Sequence, residues 1–132
     1  MADIVDTKVV RNGRLYVVRL QNQSDSTGES AVTKVDVSTL ATIAGLPVSY
    51  VTIDRIEYSV WGINYVALYW DADTDDEIAT LSGSGVIDVS MEGGMTDPQS
   101  TGFTGDIKLT TDGATDGGGY DITLWCKLKQ AA

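Results

Sequence analysis

A chain of 132 residues, 42% of them hydrophobic, has enough material for one packed core, and residues 1–132 read as a single domain. Nineteen acidic residues against nine basic leave a net charge of −10, which argues against phosphate-directed binding of nucleic acid and against adsorption to an anionic membrane. The absence of histidine removes the usual general base, the Ser-His-Asp and Cys-His constellations and nearly all zinc sites.

The opening "MADIVDTK" lacks the basic start and apolar run of a secretory signal. "VVRNGRLYVVRLQNQ" reads as a β-hairpin turning at Asn12-Gly13, because both turn positions tolerate positive φ. Tyr16, Val18 and Leu20 then share one face. A polar loop over 24–30 leads to a strand at 31–38, with Val35 and Val37 on one side and Lys34 and Asp36 on the other. Residues 39–47 have no period and fit a short helical turn or an irregular connection. "VSYVTIDRIEYSVWG" is a long strand whose apolar parity changes between Val51/Ile53 and Ile56/Tyr58/Val60, which requires a bulge near Asp54-Arg55. After Gly62, "INYVALYWD" is apolar on both faces, with Val66, Leu68 and Trp70 on one and Tyr65, Ala67 and Tyr69 on the other. Gly83 and Gly85 kink or divide the next strand, and residues 92–105 are rich in turns. "DIKLTT" alternates, "DGATDGGG" reads as a loop, and "YDITLWCKLK" closes the chain as a strand. Roughly eight strands without a long helix predict an all-β fold, an antiparallel β-sandwich or a jelly-roll-like one.

The lone cysteine, Cys126, alternates with Ile122, Leu124 and Leu128 and reads as a small buried residue. The acidic run "DADTDDE" invites a calcium reading. Counted from Asp71, the first, third and fifth positions of an EF-hand loop fit, but the sixth is Asp76 where glycine is needed and the twelfth is Ser82 where glutamate is needed. Carboxylates crowded into one loop also lack the separation that glycoside hydrolysis requires. The expectation is an acidic solvated turn, with a looser calcium site on a β-loop as the lesser alternative; no metal ligand, cofactor or catalytic residue is assigned. Trp125 lies on the polar parity of the final strand, where an indole can pack under a loop, stack on a sugar or anchor a protein interface. Tyr65, Tyr69 and Trp125 are the candidate interface residues. Charge is unevenly placed: residues 35–105 carry eleven acidic residues and one basic, Arg55, which reads first as solvated acidic loops that keep the protein soluble and, if the near-neutral ends lie apart from the acidic middle, as partial charge complementarity between copies.

"LYWDA", "LSGSG", "TGDIKLTTDGA" and "YDITLWCKLK", with the opening "RNGRLYVVRLQNQSDSTGESAVTKVDVS", resemble small virion structural proteins of tailed bacteriophages, of the marine and cyanobacterial phage type. The resemblance implies a particle component located in the virion, and it transfers no active-site residue. It is compatible with a capsid decoration (cement) protein, whose partners are the phage major capsid protein or other virion proteins and further copies of itself. A tail or neck component is the alternative within that class. A β-sandwich carbohydrate-binding module, with exposed tryptophans on a flat face or at loop tips, is the alternative from another class.

Overall fold

Residues 4–12, 15–25, 28–37, 50–113 and 115–129 are described by the computed structural model. They form ten strands: β1 (Ile4–Asn12), β2 (Leu15–Asp25), β3 (Val32–Val35), β4 (Tyr50–Trp61), β5 (Tyr65–Trp70), β6 (Asp76–Leu81), β7 (Ser84–Asp88), β8 (Met95–Thr96), β9 (Ile107–Asp112) and β10 (Asp116–Lys129). One sheet runs β1-β2-β10-β4-β7, with the short β8 also on β4; the other runs β3-β9-β5-β6. Every pairing is antiparallel. With β1 and β8 set aside, β2-β10-β4-β7 faces β3-β9-β5-β6, and the chain crosses between the layers at β2–β3, β3–β4, β4–β5, β6–β7, β7–β9 and β9–β10. This is the strand order of a jelly roll.

Local sequence explains the irregularities. β1 and β2 form the expected hairpin, with Asn12 opposite Tyr16, although the turn residue Gly13 lies outside the described residues. β1 begins earlier than the apolar run implied, at Ile4. In β4 the parity switch is resolved by a bulge at Asp54: Trp125 pairs with Arg55 and Cys126 with Ile53, so Asp54 has no opposite number. Gly83, at φ +68°, carries the chain out of β6 in one sheet and into β7 in the other, a left-handed conformation that suits glycine. Its carbonyl accepts the Val60 N–H at 2.7 Å, which fixes that crossing to β4. The turn-rich 92–105 segment contributes β8, and the anticipated loop at 112–119 is shorter than expected because β10 already starts at Asp116. The expected irregular connection at 39–47 lies outside the described residues.

One contiguous core lies between the sheets. Val18, Leu20, Ile53, Ile56, Ile122, Leu124 and Cys126 from one layer meet Val35, Val66, Leu68, Leu81, Ile107 and Leu109 from the other. All are essentially inaccessible, so truncating any of the large ones to alanine removes packing worth about 2–5 kcal/mol. Cys126 sits among them, and burial pushes its thiol up to about 12, which leaves it inert as a nucleophile.

A polar lock crosses this core near the β2–β3 connection. Lys34, expected on the polar side with Asp36, is turned inward by a register shift between Thr33 and Val35 against β9. Its ammonium lies 2.5 Å from the Glu29 carboxylate, with both side chains almost fully buried. The same carboxylate accepts hydrogen bonds from the Tyr120 hydroxyl and from Asn22 Nδ2. The Glu29 backbone exchanges bonds with Thr111 of β9, whose hydroxyl accepts the Glu29 N–H at 2.8 Å and whose own N–H donates to the Glu29 carbonyl at 2.9 Å. One residue thus ties β2 and β10 of one sheet to β3 and β9 of the other.

Candidate functional site

β5 is an interior strand, paired on both sides, so its two faces have different fates. Val66, Leu68 and Trp70 fill the core. Tyr65, Ala67 and Tyr69 occupy the outer face of the four-stranded sheet. Tyr65 is 38% exposed and Tyr69 half-buried, while Ala67 is closed in by its neighbours. The cross-strand partners are Asp112 for Tyr65, Thr110 and Thr80 for Ala67, and Lys108 and Glu77 for Tyr69. The result is an aromatic stripe flanked by threonines with charges at its margins, which matches an apolar centre and polar rim.

Trp125 is on the opposite side of the molecule. Its strand neighbours Leu124 and Cys126 point into the core, so the indole stands on the outer face of the six-stranded sheet, half-buried. Val17 and Arg55 flank it across the ladder. The Arg55 guanidinium lies over the ring, 5.2 Å from its centroid, and is itself held by Glu57 at 2.5 Å. Asp54, Arg55, Asp88, Ser90 and Trp125 line a hollow of about 240 Å³. The bulge aims the nearly buried Asp54 carboxylate to within 3.2 Å of Lys127. The Asp88 carboxyl is held below its usual range by hydrogen bonds from the Ser90 hydroxyl and N–H. The three candidate interface residues therefore form two surfaces, Tyr65 with Tyr69 on one face and Trp125 on the other.

The acidic turn is closed by internal partners. Asp71 takes the Lys108 ammonium at 2.7 Å and the Thr104 hydroxyl at 2.7 Å, and both hold its carboxyl below the usual range. Asp75 accepts the Ala72 N–H and sits 3.6 Å from the same ammonium. Backbone bonds from Thr104 to Asp71 and from Asp73 to Thr101 pin the turn to the 101–106 segment. Lysine already supplies the cation here. Among the described residues no cluster of three or more carboxylate, cysteine or histidine side chains is arranged to hold a metal ion.

Two features escaped the sequence reading. The Glu29–Lys34 pair gave no periodic signal, since Glu29 lies in a polar loop. The second is the cleft of about 410 Å³ beside Trp61, a tryptophan 47% exposed, which is shared with Gln21, Asn22, Gln23, Gly117, Gly118, Tyr120 and Asp121. The glycine run that marks this cleft read as a loop, whereas it belongs to β10. Trp70, the third tryptophan, is core. No family of known proteins, no curated protein sequence and no solved structure matches this chain.

Proposed function

We propose that this chain is a structural component of a tailed-bacteriophage virion, and specifically a decoration protein that stabilises the head through protein–protein contacts. The observation that carries the reading is the pair of aromatic surfaces on opposite outer faces of a jelly roll, one around Tyr65 and Tyr69, the other around Trp125. Two such faces would let one seat on the major capsid protein while the other meets a neighbouring copy. The resemblance of "LYWDA", "TGDIKLTTDGA" and "YDITLWCKLK" to phage virion proteins supports the same reading. The −10 charge suits a position on the exterior of the shell, away from packaged DNA.

The test is association. Tyr69→Ser and Trp125→Ser, each assayed for self-association by sedimentation and for binding to heads of the phage that encodes the chain, are expected to weaken one contact by more than about 1–2 kcal/mol while leaving the fold intact. A chain that stays monomeric at all concentrations and leaves heads undecorated refutes the proposal. Copy number per particle separates a head-wide protein from a ring in the neck or tail.

A further inference from the structure

The Trp61 cleft has a definite construction. Across the six-stranded sheet, Gln23 of β2, Gly119 of β10 and Trp61 of β4 stand in one row. The next row is Gln21, Asp121 and Ser59. The glycine in the middle of the first row leaves a trough between the glutamine and the tryptophan. It is also obligatory: a Cβ at Gly119 would lie 2.2 Å from the Asn22 carbonyl oxygen and 3.0 Å from Trp61 Cζ2. The indole thus leans over bare β10 backbone with nearly half its surface open. The register shift of β10 between Asp116 and Gly119 widens the same end of the trough. Asp121 is held in place by Arg19, whose Nε and Nη2 each donate to one carboxylate oxygen.

The chemistry of the lining narrows the ligand. Among the described residues, those that line the cleft include no cation, and the nearby Arg19 is engaged by Asp121, which disfavours a phosphate. A peptide adding as a strand needs a free edge, but β2, β10 and β4 are each paired on both sides. An exposed indole face, two carboxamides that both donate and accept, and one fixed carboxylate match a ring with an apolar C–H face and a rim of hydroxyls. The volume falls within the range of small-ligand sites. We propose that the Trp61 cleft binds a neutral saccharide, with the pyranose stacked on Trp61 and its hydroxyls held by Gln21, Gln23 and Asp121. The site is separate from both aromatic surfaces and does not depend on the virion reading.

The experiment screens the full chain on a broad glycan array. It then titrates chitohexaose, cellohexaose, laminarihexaose, maltohexaose and the array's best binder while following the three indole N–H signals and the glutamine side-chain amides by NMR. One probe is expected to move the Trp61 indole and the Gln21 and Gln23 amides, saturating at about 1 mM or tighter. Trp61→Ala and the Gln21→Ala/Gln23→Ala double variant should each weaken that binding at least about tenfold, with Trp125→Ala unchanged. The proposal is overturned if the array gives no binder and no probe shifts these signals at about 10 mM. It is equally overturned if the shifts centre on Trp125, or if binding survives both sets of substitutions in folded protein.

Discussion

Lys34→Met tests the buried lock directly. The variant keeps an unbranched side chain of similar length but removes the ammonium 2.5 Å from Glu29, in a site where the two side chains are only 3% and 6% exposed. Removing one member of a buried ion pair costs about 3–5 kcal/mol, because the remaining charge is left uncompensated. Here the Tyr120 hydroxyl and Asn22 amide still donate to the carboxylate, which places the expected loss at the lower end, about 3 kcal/mol. With a urea m-value of about 2 kcal/mol/M, the midpoint falls by about 1.5 M. Unfolding followed by tryptophan fluorescence and far-UV circular dichroism reads this out. The double variant Glu29→Gln/Lys34→Met removes both charges and should recover at least about 2 kcal/mol relative to the sum of the single changes. A loss below about 1 kcal/mol for Lys34→Met, or strict additivity in the double variant, would refute the argument that this pair locks the two sheets together.

Three further outcomes are expected. Burial, together with the nearby Asp76 charge, holds the Asp97 carboxyl above its ordinary value, and its Oδ2 has no hydrogen-bond partner. The folded state therefore binds that proton more readily than the unfolded one, and its contribution to stability falls as pH rises from the unfolded pKa through the higher folded pKa. Asp97→Asn, which can still accept the Gln99 N–H, should raise stability near neutral pH by about 1 kcal/mol and flatten that part of the pH profile; thermal melts from acid to neutral pH would show it. Excess calcium should leave the melting temperature within error of that in chelator, because Lys108 occupies the Asp71 carboxylate; linkage stabilisation beyond about 3 kcal/mol would restore a calcium loop. Gly119→Ala forces a Cβ against the Asn22 carbonyl and should cost more than about 3 kcal/mol in urea unfolding, since β10 is an interior strand held from both sides.

The residues differ in how far sequence alone revealed them, and the reasons are physical. The bulge at Asp54 was legible because two apolar runs of opposite parity in one strand admit few other solutions. The two-faced character of β5 was legible for a related reason, as continuous apolar character marks a strand that no single layer can hide. Lys34 was misplaced because alternation assumes an unbroken register, and the shift against β9 arises from a partner strand far along the chain. The separation of Trp125 from Tyr65 and Tyr69 was hidden by the same limit: parity tells which residues share a strand face, not which sheet the strand joins. The Trp61 cleft depends on a row of three residues from β2, β10 and β4, and only the finished sheet assembles it.

The position of β10 has a consequence for how the molecule comes to be made. β2 and β4 are neighbours of β10 on either side and never of each other, yet β10 follows all the other described strands in sequence. During synthesis both of them wait with an unpaired edge facing the gap. Such topologies pay their loop-closure entropy before any long-range contact rewards it, and the waiting edges are templates for association with other chains. A nascent chain halted short of Tyr120 would hold two half-sheets with apolar inner faces and nothing to join them. Insertion of β10 completes the six-stranded sheet, brings Tyr120 to the Glu29 lock and forms the trough beside Trp61. The six-stranded sheet and the core beneath it are thus complete only once β10 is in place between β2 and β4.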